Sequence, residues 1–350
     1  MVSKQSSNRK LEHVNIVLKE NVQFTRKTTG FEEMEIEYTA LPEINAKTID
    51  AKTVFLEHSF SFPFMVSSMT GGHEKTEKIN KEIALACEKT GIGMGLGSTR
   101  AAIEHPETFS TYDVRKFAPS IFLACNIGVS QLKEYNTKTI QKLVNDLQCD
   151  ALIIHCNAAQ EIVQEEGTPD FSNGLKEITR VAKELKQPVM VKEVGNGISP
   201  SVVKMLDKIP IQVIDVAGAG GTSWTAIESK RGNKMNKELG EKFWDVGIPT
   251  VPAILGAKKY SKKLIIGSGG VRSGMDIVKG MVLGCNLMSS AIPIIKEQNQ
   301  NGVNGLVRHI EFLKEEFRAG MFLAGAKKVS ELKNKKYFFF GKTREWVEQI

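Results

Sequence analysis

The densest run of reactive side chains is His155-Cys156-Asn157-Ala158-Ala159-Gln160-Glu161, with five polar or ionisable groups in seven residues. His155 and Asn157, two apart on an extended segment, face the same way and can hydrogen-bond a diphosphate. The Glu161 carboxylate offers the hard oxygen ligands that Mg²⁺ takes. Isolated histidines such as His58, His105 and His309 read instead as satisfied polar groups.

Glycine-rich turns supply the second chemical signal. Met69-Thr70-Gly71-Gly72, Gly218-Ala219-Gly220-Gly221-Thr222 and Gly267-Ser268-Gly269-Gly270-Val271-Arg272 let backbone N–H groups approach a phosphate without Cβ interference, and Ser289-Ser290-Ala291 adds hydroxyls at a fourth turn. A dinucleotide fingerprint is excluded at Gly91, Gly93, Gly95 and Gly97, because Leu96 stands where its third glycine belongs. A P-loop is excluded at Gly341-Lys342-Thr343, where Lys336 replaces the required glycine. Lys192, a charge in the apolar strand Val191-Lys192-Glu193, is costly there unless paired. One reading pairs it structurally with Glu193 or Asp215. The other sets it against the electron-rich edge of a flavin, where it stabilises negative charge on the reduced ring.

These residues need a scaffold that brings strand ends together. Short apolar runs alternate with helical stretches, with strands expected at Phe62–Ser67, Gly91–Gly95, Ile121–Cys125, Ala151–His155, Pro188–Glu193, Ile211–Val216, Leu264–Gly267 and Asn286–Ser290. Helices are expected at Glu74–Lys89, Pro106–Phe117, Thr137–Leu147, Leu175–Leu185, Ser201–Leu206, Asn236–Trp244, Gly274–Val282 and Val303–Ala319. Eight strands over about 230 residues match the ~250 of a TIM barrel better than a doubly wound sheet. The sequence therefore predicts an α/β fold, a (β/α)8 TIM barrel over residues 62–332. Residues 1–61 form an N-terminal extension packing on it, and 333–350 a C-terminal tail carrying the apolar cluster Tyr337-Phe338-Phe339-Phe340. The loops after strands seven and eight, with the dipole of the helix near Ser273, would form the phosphate cradle.

Bulk properties leave the partner open: a phosphorylated small molecule fits the charge as well as nucleic acid does, and a bland excess of surface lysine nearly as well. The 350 residues are 41% hydrophobic and 25% charged, with a net charge of +7 from 47 basic and 40 acidic residues spread along the chain. No stretch approaches the ~20 apolar residues of a membrane span, and the first ten residues are not signal-like. A soluble cytoplasmic protein that binds neither membrane nor nucleic acid is expected. Five cysteines (Cys87, Cys125, Cys149, Cys156, Cys285) lack zinc or disulfide spacing.

Taken together, Arg9-Lys10-x-x-His13, Met69-Thr70-Gly71-Gly72, Gly97-Ser98-Thr99-Arg100, His155-Cys156-Asn157-x-x-Gln160-Glu161, Val191-Lys192-Glu193-Val194-Gly195, Gly218-x-Gly220-Gly221-Thr222-Ser223-Trp224 and Ser268-Gly269-Gly270-Val271-Arg272 resemble the type 2 isopentenyl-diphosphate isomerases from about Arg9 to Leu332. The Arg-Lys-x-x-His start and the His-x-Asn-x-x-Gln-Glu segment distinguish that family from other flavin barrels. Thr99 departs from the pattern, in which glutamine is common. The resemblance implies isomerisation of isopentenyl to dimethylallyl diphosphate in isoprenoid synthesis, using reduced FMN and Mg²⁺, with NADPH reducing the flavin. It implies FMN held by Met69, Thr70, Gly71, Ser98, Asn126, Lys192, Thr222, Gly269, Gly270, Arg272, Ser290 and Ala291. The diphosphate would be held by Arg9, Lys10, Arg100, His155, Asn157 and Gln160, and Mg²⁺ by Glu161 with Glu228 nearby. Gln160 and Lys192 would be catalytic. A homotetramer or homooctamer is implied, with Arg9 and Lys10 reaching a neighbouring subunit's site. The rival readings are a net redox FMN barrel related to 2-hydroxy-acid oxidases and a basic barrel that binds RNA or protein.

Overall fold

The computed structural model describes the backbone of residues 2–350 and the side chains of 9–350. Eight parallel strands close into a barrel: β1 Phe64–Val66, β2 Gly93–Gly95, β3 Leu123–Gly128, β4 Ala151–His155, β5 Val189–Lys192, β6 Val213–Asp215, β7 Leu264–Ser268 and β8 Leu287–Ser290. Each pairs with its sequence neighbours, and β8 returns to β1 through Met288–Phe64, Ser289–Met65 and Ser290–Val66. The fold is the expected TIM barrel, and every expected strand is present within a few residues of its expected ends.

The period-two alternation of a strand explains why these runs are almost wholly apolar. Met65, Ala124, Ile153, Met190, Val213, Ile266 and Leu287 form one buried cluster, filling the barrel. Their neighbours Phe64, Val66, Leu123, Leu152, Ile154, Val191, Ile214 and Met288 belong to the larger cluster shared with the helices. Below the barrel, a hairpin pairs Thr53–Phe55 with His58–Phe60 and delivers Phe55 and Phe60 to Phe122, at ring separations of 5.8 and 6.0 Å. Its turn holds Leu56 and Glu57 at φ 45° and 67°, left-handed values that non-glycine residues rarely adopt.

Outside the barrel, Glu74–Thr90, Thr137–Asp146, Gly174–Glu184, Pro200–Asp207 and Gly274–Val282 are helical as expected. Three expectations need correction. Pro106–Phe117 is a short 3₁₀ segment, Pro106–Thr111, following a helix at Arg100–Glu104; the C-cap His105 separates the two, and Pro106 starts the second. The stretch at Asn236–Trp244 is helix Lys234–Lys242, preceded by an unforeseen helix Trp224–Arg231. The last long helix runs Ile292–Leu323 and bends at Gly302 (φ 59°, ψ −159°), so the expected Val303–Ala319 is only its second arm.

The N-terminal helix Val2–Lys19 buries Val14 and Val17 against Ala226, Ile227 and Ile295, and so lies over the C-terminal mouth of the barrel. At the chain's other end, Tyr337–Phe339 pairs antiparallel with Met34–Ile36. Tyr337 and Phe339 pack toward the core, while Phe338 and Phe340 remain exposed.

Candidate active site

Two residues beyond the apolar interior layer, the same strands turn polar. Asn126, His155, Lys192, Asp215, Ser268 and Ser289 occupy the next inward positions of β3 to β8. All but Asp215, which lies beneath Lys192 and Ser268, floor a cavity of about 530 Å³, within the usual range for small-molecule sites.

On this floor, His155 Nδ1 lies 2.6 Å from Asn126 Oδ1. Burial, with Lys192, Lys10 and Arg100 around it, pushes the His155 imidazole down to about 3, so it is neutral near pH 7. Lys192 donates to the Glu193 carbonyl oxygen (2.6 Å), and its Nζ is 3.6 Å from Asp215 Oδ2. Asp215 in turn accepts from Ser268 Oγ. The ion pair with Asp215 is therefore real, and the lysine still lines the cavity. The Glu193 carboxylate turns away, accepting the N–H groups of Val194 and Gly195 at 2.6 and 2.7 Å. Burial raises it to about 7 against these bonds.

One wall comes from the segment after β4. Asn157 Nδ2 donates to Gln160 Oε1 (3.1 Å) and Glu161 Oε1 (2.8 Å), and Thr168 N–H donates to Glu161 Oε2 (2.6 Å). Gln160 Nε2 donates to Glu228 Oε1 (2.8 Å) and Arg231 to Glu228 Oε2 (2.7 Å). His13 Nε2 is 2.9 Å from Glu228 Oε1, an ion-pair distance without hydrogen-bond alignment. Burial pushes the Glu228 carboxyl upward, but His13, Gln160 and Arg231 outweigh it and keep it ionised. Glu228 is thus tied to Gln160 rather than to Glu161.

Next to this wall the lining is basic. Lys10 donates to Ser98 O (2.8 Å) and to Tyr112 Oη (2.6 Å), and Arg100 stands 3.5 Å from Glu104. Dehydration, with Arg9 and Arg100 adding repulsion, lowers the Lys10 ammonium to about 7. Arg9 is 3.8 Å from Glu166, which Arg231 also engages at 2.8 Å. Arg9 and Lys10, expected in a neighbour's site, line the cavity of their own chain because the helix that carries them packs across its own barrel.

At the third side, Gly269 (φ 97°) and Gly270 (φ 72°) fold against Gly218 and Gly220 so closely that a Cβ on Gly269 would lie 2.0 Å from Gly218 O. Arg272 reaches over to Gln23 Oε1 (2.6 Å) and Gly220 O (3.2 Å). The helix dipole expected here at Ser273 is already closed, by the Ser273/Asp276 capping box and by Glu316 accepting from Gly274 N–H (2.8 Å). Asp276 and Glu316 together take the N–H groups of Arg272, Ser273 and Gly274. The N-terminus that opens on the cavity is that of Ile292–Leu323, whose N-cap Ala291 makes no side-chain bond.

Of the residues singled out from sequence, Arg9, Lys10, Met69, Thr70, Ser98, Arg100, Asn126, His155, Asn157, Gln160, Glu161, Lys192, Thr222, Gly269, Gly270, Arg272, Ser290 and Ala291 all line this one cavity. Gly71 does not. Its φ is 147°, and a Cβ there would sit 2.0 Å from the Tyr112 ring, so it makes room for a side chain, not a ligand. Sequence reasoning missed Tyr112, Gln164, Glu166 and Arg231; Tyr112 and Glu166 act through partners distant in the chain, Lys10 for the one and Arg9 and Arg231 for the other, with no motif of their own.

The residues present fit a flavin and a metal-bound diphosphate. Ser68 Oγ, Thr70 Oγ1 and Ser289 Oγ are buried in the lining without hydrogen-bond partners, as is Asn157 Oδ1 beside Glu161. Such groups cost ~1–3 kcal/mol each when unsatisfied, which a polar ligand repays. One carboxylate with a neighbouring amide oxygen suits Mg²⁺ that is otherwise held by phosphate and water.

The model of the FMN-dependent dehydrogenase family matches residues 133–338. An isopentenyl-diphosphate delta-isomerase of Methanothermobacter thermautotrophicus is 42% identical over 344 residues, covering 98% of this chain and 96% of that one. Its counterpart from Methanosarcina mazei is 38% identical over 349 residues, covering 98% and 95%. Among solved structures, an active chimera of (S)-mandelate dehydrogenase superposes with a TM-score of 0.69 at 14% identity, covering 97% of this chain and 98% of that one. A flavocytochrome b2 variant with benzoylformate gives 0.66 at 18%, covering 95% and 80%. At such identities the solved structures share the fold alone.

Proposed function

The chain belongs to the isopentenyl-diphosphate delta-isomerase family, with the FMN-dependent dehydrogenase domain, and from that premise we propose that it interconverts isopentenyl and dimethylallyl diphosphate on reduced FMN with Mg²⁺. The observation that carries the proposal is the sorting of polar groups around one cavity. The basic cluster Arg9, Lys10, Arg100, the Gln160–Glu161 wall and the floor residue Lys192 all line it.

Shifting the double bond adds a proton at one carbon and removes one from another, with positive charge developing at the tertiary carbon between them. When bound, reduced flavin supplies an electron-rich ring and an exchangeable proton beside that centre, without net oxidation. The chain's own residues do the rest. Arg9, Lys10 and Arg100 bind the diphosphate by charge, and Asn157 and Glu161 present the oxygens that would hold Mg²⁺ against it. His155, kept neutral by its setting, adds a hydrogen bond without further cationic repulsion of Lys192. Gln160, held through Nε2 by ionised Glu228, is fixed in one amide orientation and so can position or relay a proton. Lys192, partly neutralised by Asp215, would hold the pyrimidine edge of the flavin and stabilise its reduced, anionic form. Met69, Thr70, Ser98, Asn126, Thr222, Gly269, Gly270, Arg272, Ser290 and Ala291 would hold the remainder of FMN. NADPH is proposed as its reductant.

The test is anaerobic conversion of isopentenyl diphosphate with FMN, Mg²⁺ and NADPH each omitted in turn. Product that requires all three, without matching NADPH consumption, is expected. Bound FMN with stoichiometric oxidation of a 2-hydroxy acid and no isomerisation would instead establish the redox reading.

A further inference from the structure

Lys10 Nζ, Tyr112 Oη and Ser98 O form a closed triangle. The ammonium donates to the hydroxyl (2.6 Å) and to the carbonyl (2.8 Å), and the hydroxyl donates to the same carbonyl (2.7 Å). Tyr112 is wholly buried and lies outside the cavity lining, so it reaches the site only through Lys10 and the Ser98 carbonyl. The backbone is built around it. A Cβ on Gly71 would meet the ring at 2.0 Å, and one on Gly72 would lie 2.7 Å from Tyr112 Oη and 2.9 Å from Lys10 Nζ. Thr111, the residue before Tyr112, accepts from Gly72 N–H through its Oγ1 (2.8 Å), fixing that approach. The glycine pair that reads as a phosphate turn in the sequence is thus the socket of an aromatic ring and an ammonium.

We propose that Tyr112 is a positioning residue, whose hydroxyl fixes the Lys10 ammonium at the diphosphate end of the cavity and ties the N-terminal helix to the Gly97–Arg100 loop. The physical need is clear from the surroundings. Arg9 and Arg100 both repel Lys10, and Glu104 is the carboxylate that opposes them among the described residues. A flexible lysine in that field turns outward unless its donors are engaged, and the hydroxyl and the carbonyl engage two of the three. The inference rests on the diphosphate reading given above.

Tyr112→Phe keeps the ring in its socket and removes only the hydroxyl. A hydrogen bond to a charged group predicts a loss of about tenfold in affinity for the diphosphate. KM for isopentenyl diphosphate should rise by that factor with kcat within about twofold, and direct binding of inorganic pyrophosphate should weaken equally. In a Lys10→Gln background, Tyr112→Phe should add nothing to either quantity. Equal effects in both backgrounds, or kcat and KM moving together with a loss of thermal stability, would show a packing role only and overturn the proposal. A wild-type chain that neither isomerises nor binds pyrophosphate would overturn the functional reading itself; a competent wild type with additive variants overturns this inference alone.

Discussion

Raising the pH above neutrality should weaken substrate binding as Lys10 loses its proton, with Glu193, raised to about 7 beside the site, ionising over the same range. The ammonium is lowered from 10.5 to about 7 by dehydration and by Arg9 and Arg100, with Glu104 opposing. Above pH 7 the free site therefore holds a neutral lysine, and binding a diphosphate must return its proton. The sign follows: affinity is full below about pH 7 and falls above it, by up to about 1.36 kcal/mol per pH unit. Between pH 7 and 9, KM should rise by on the order of ten- to a hundredfold, and binding at pH 8 should take up a large fraction of one proton. His155, already neutral down to about 3, adds nothing in this range. KM across pH 6–9 and pyrophosphate titration calorimetry in buffers of different ionisation enthalpy measure both quantities. Lys10→Arg, charged throughout, should flatten the profile. A flat wild-type profile, or an equal slope in Lys10→Arg, refutes the reasoning.

Other expectations are simpler. Glu161→Gln should sharply raise the Mg²⁺ concentration needed for half-maximal activity; unaltered Mg²⁺ activation would sink the metal assignment. Gly71→Ala forces a Cβ onto the Tyr112 ring at a φ of 147°, and should cost ~3 kcal/mol or more, read as a lower denaturation midpoint. Replacing exposed Glu57 by Gly should stabilise the hairpin by about 1 kcal/mol, because that position holds a φ of 67°; an unchanged midpoint in urea would show that the turn carries no strain.

The barrel was legible because strands buried on both faces read as apolar runs, and because polar residues appear abruptly where each strand meets the mouth: Asn126, His155, Lys192. Helices were legible where a cap and an amphipathic face coincide, as at Glu74–Thr90. Trp224–Arg231 escaped because Thr225, Ala226, Ile227, Glu228 and Ser229 are all buried, leaving no polar face to give a period. The site's first contacts could be read, but not what holds them. Lys10 and Tyr112 are 102 residues apart, Gln160 and Glu228 68 apart, and no local pattern links either pair. Ser273 misled for a related reason: its helix carries a good capping box, and Glu316, which occupies its N-terminus, lies on another helix.

The pairing of Met34–Ile36 with Tyr337–Phe339 bears on how the molecule is made. On the ribosome, Met34 emerges some 300 residues before its partner Phe339, an interval on the order of 15 to 60 seconds at ordinary synthesis rates. Throughout that interval the early strand has an open edge, a known template for mispairing between chains. Its brevity, three residues with Glu35 at the centre, limits that hazard until Tyr337–Phe339 completes the seam.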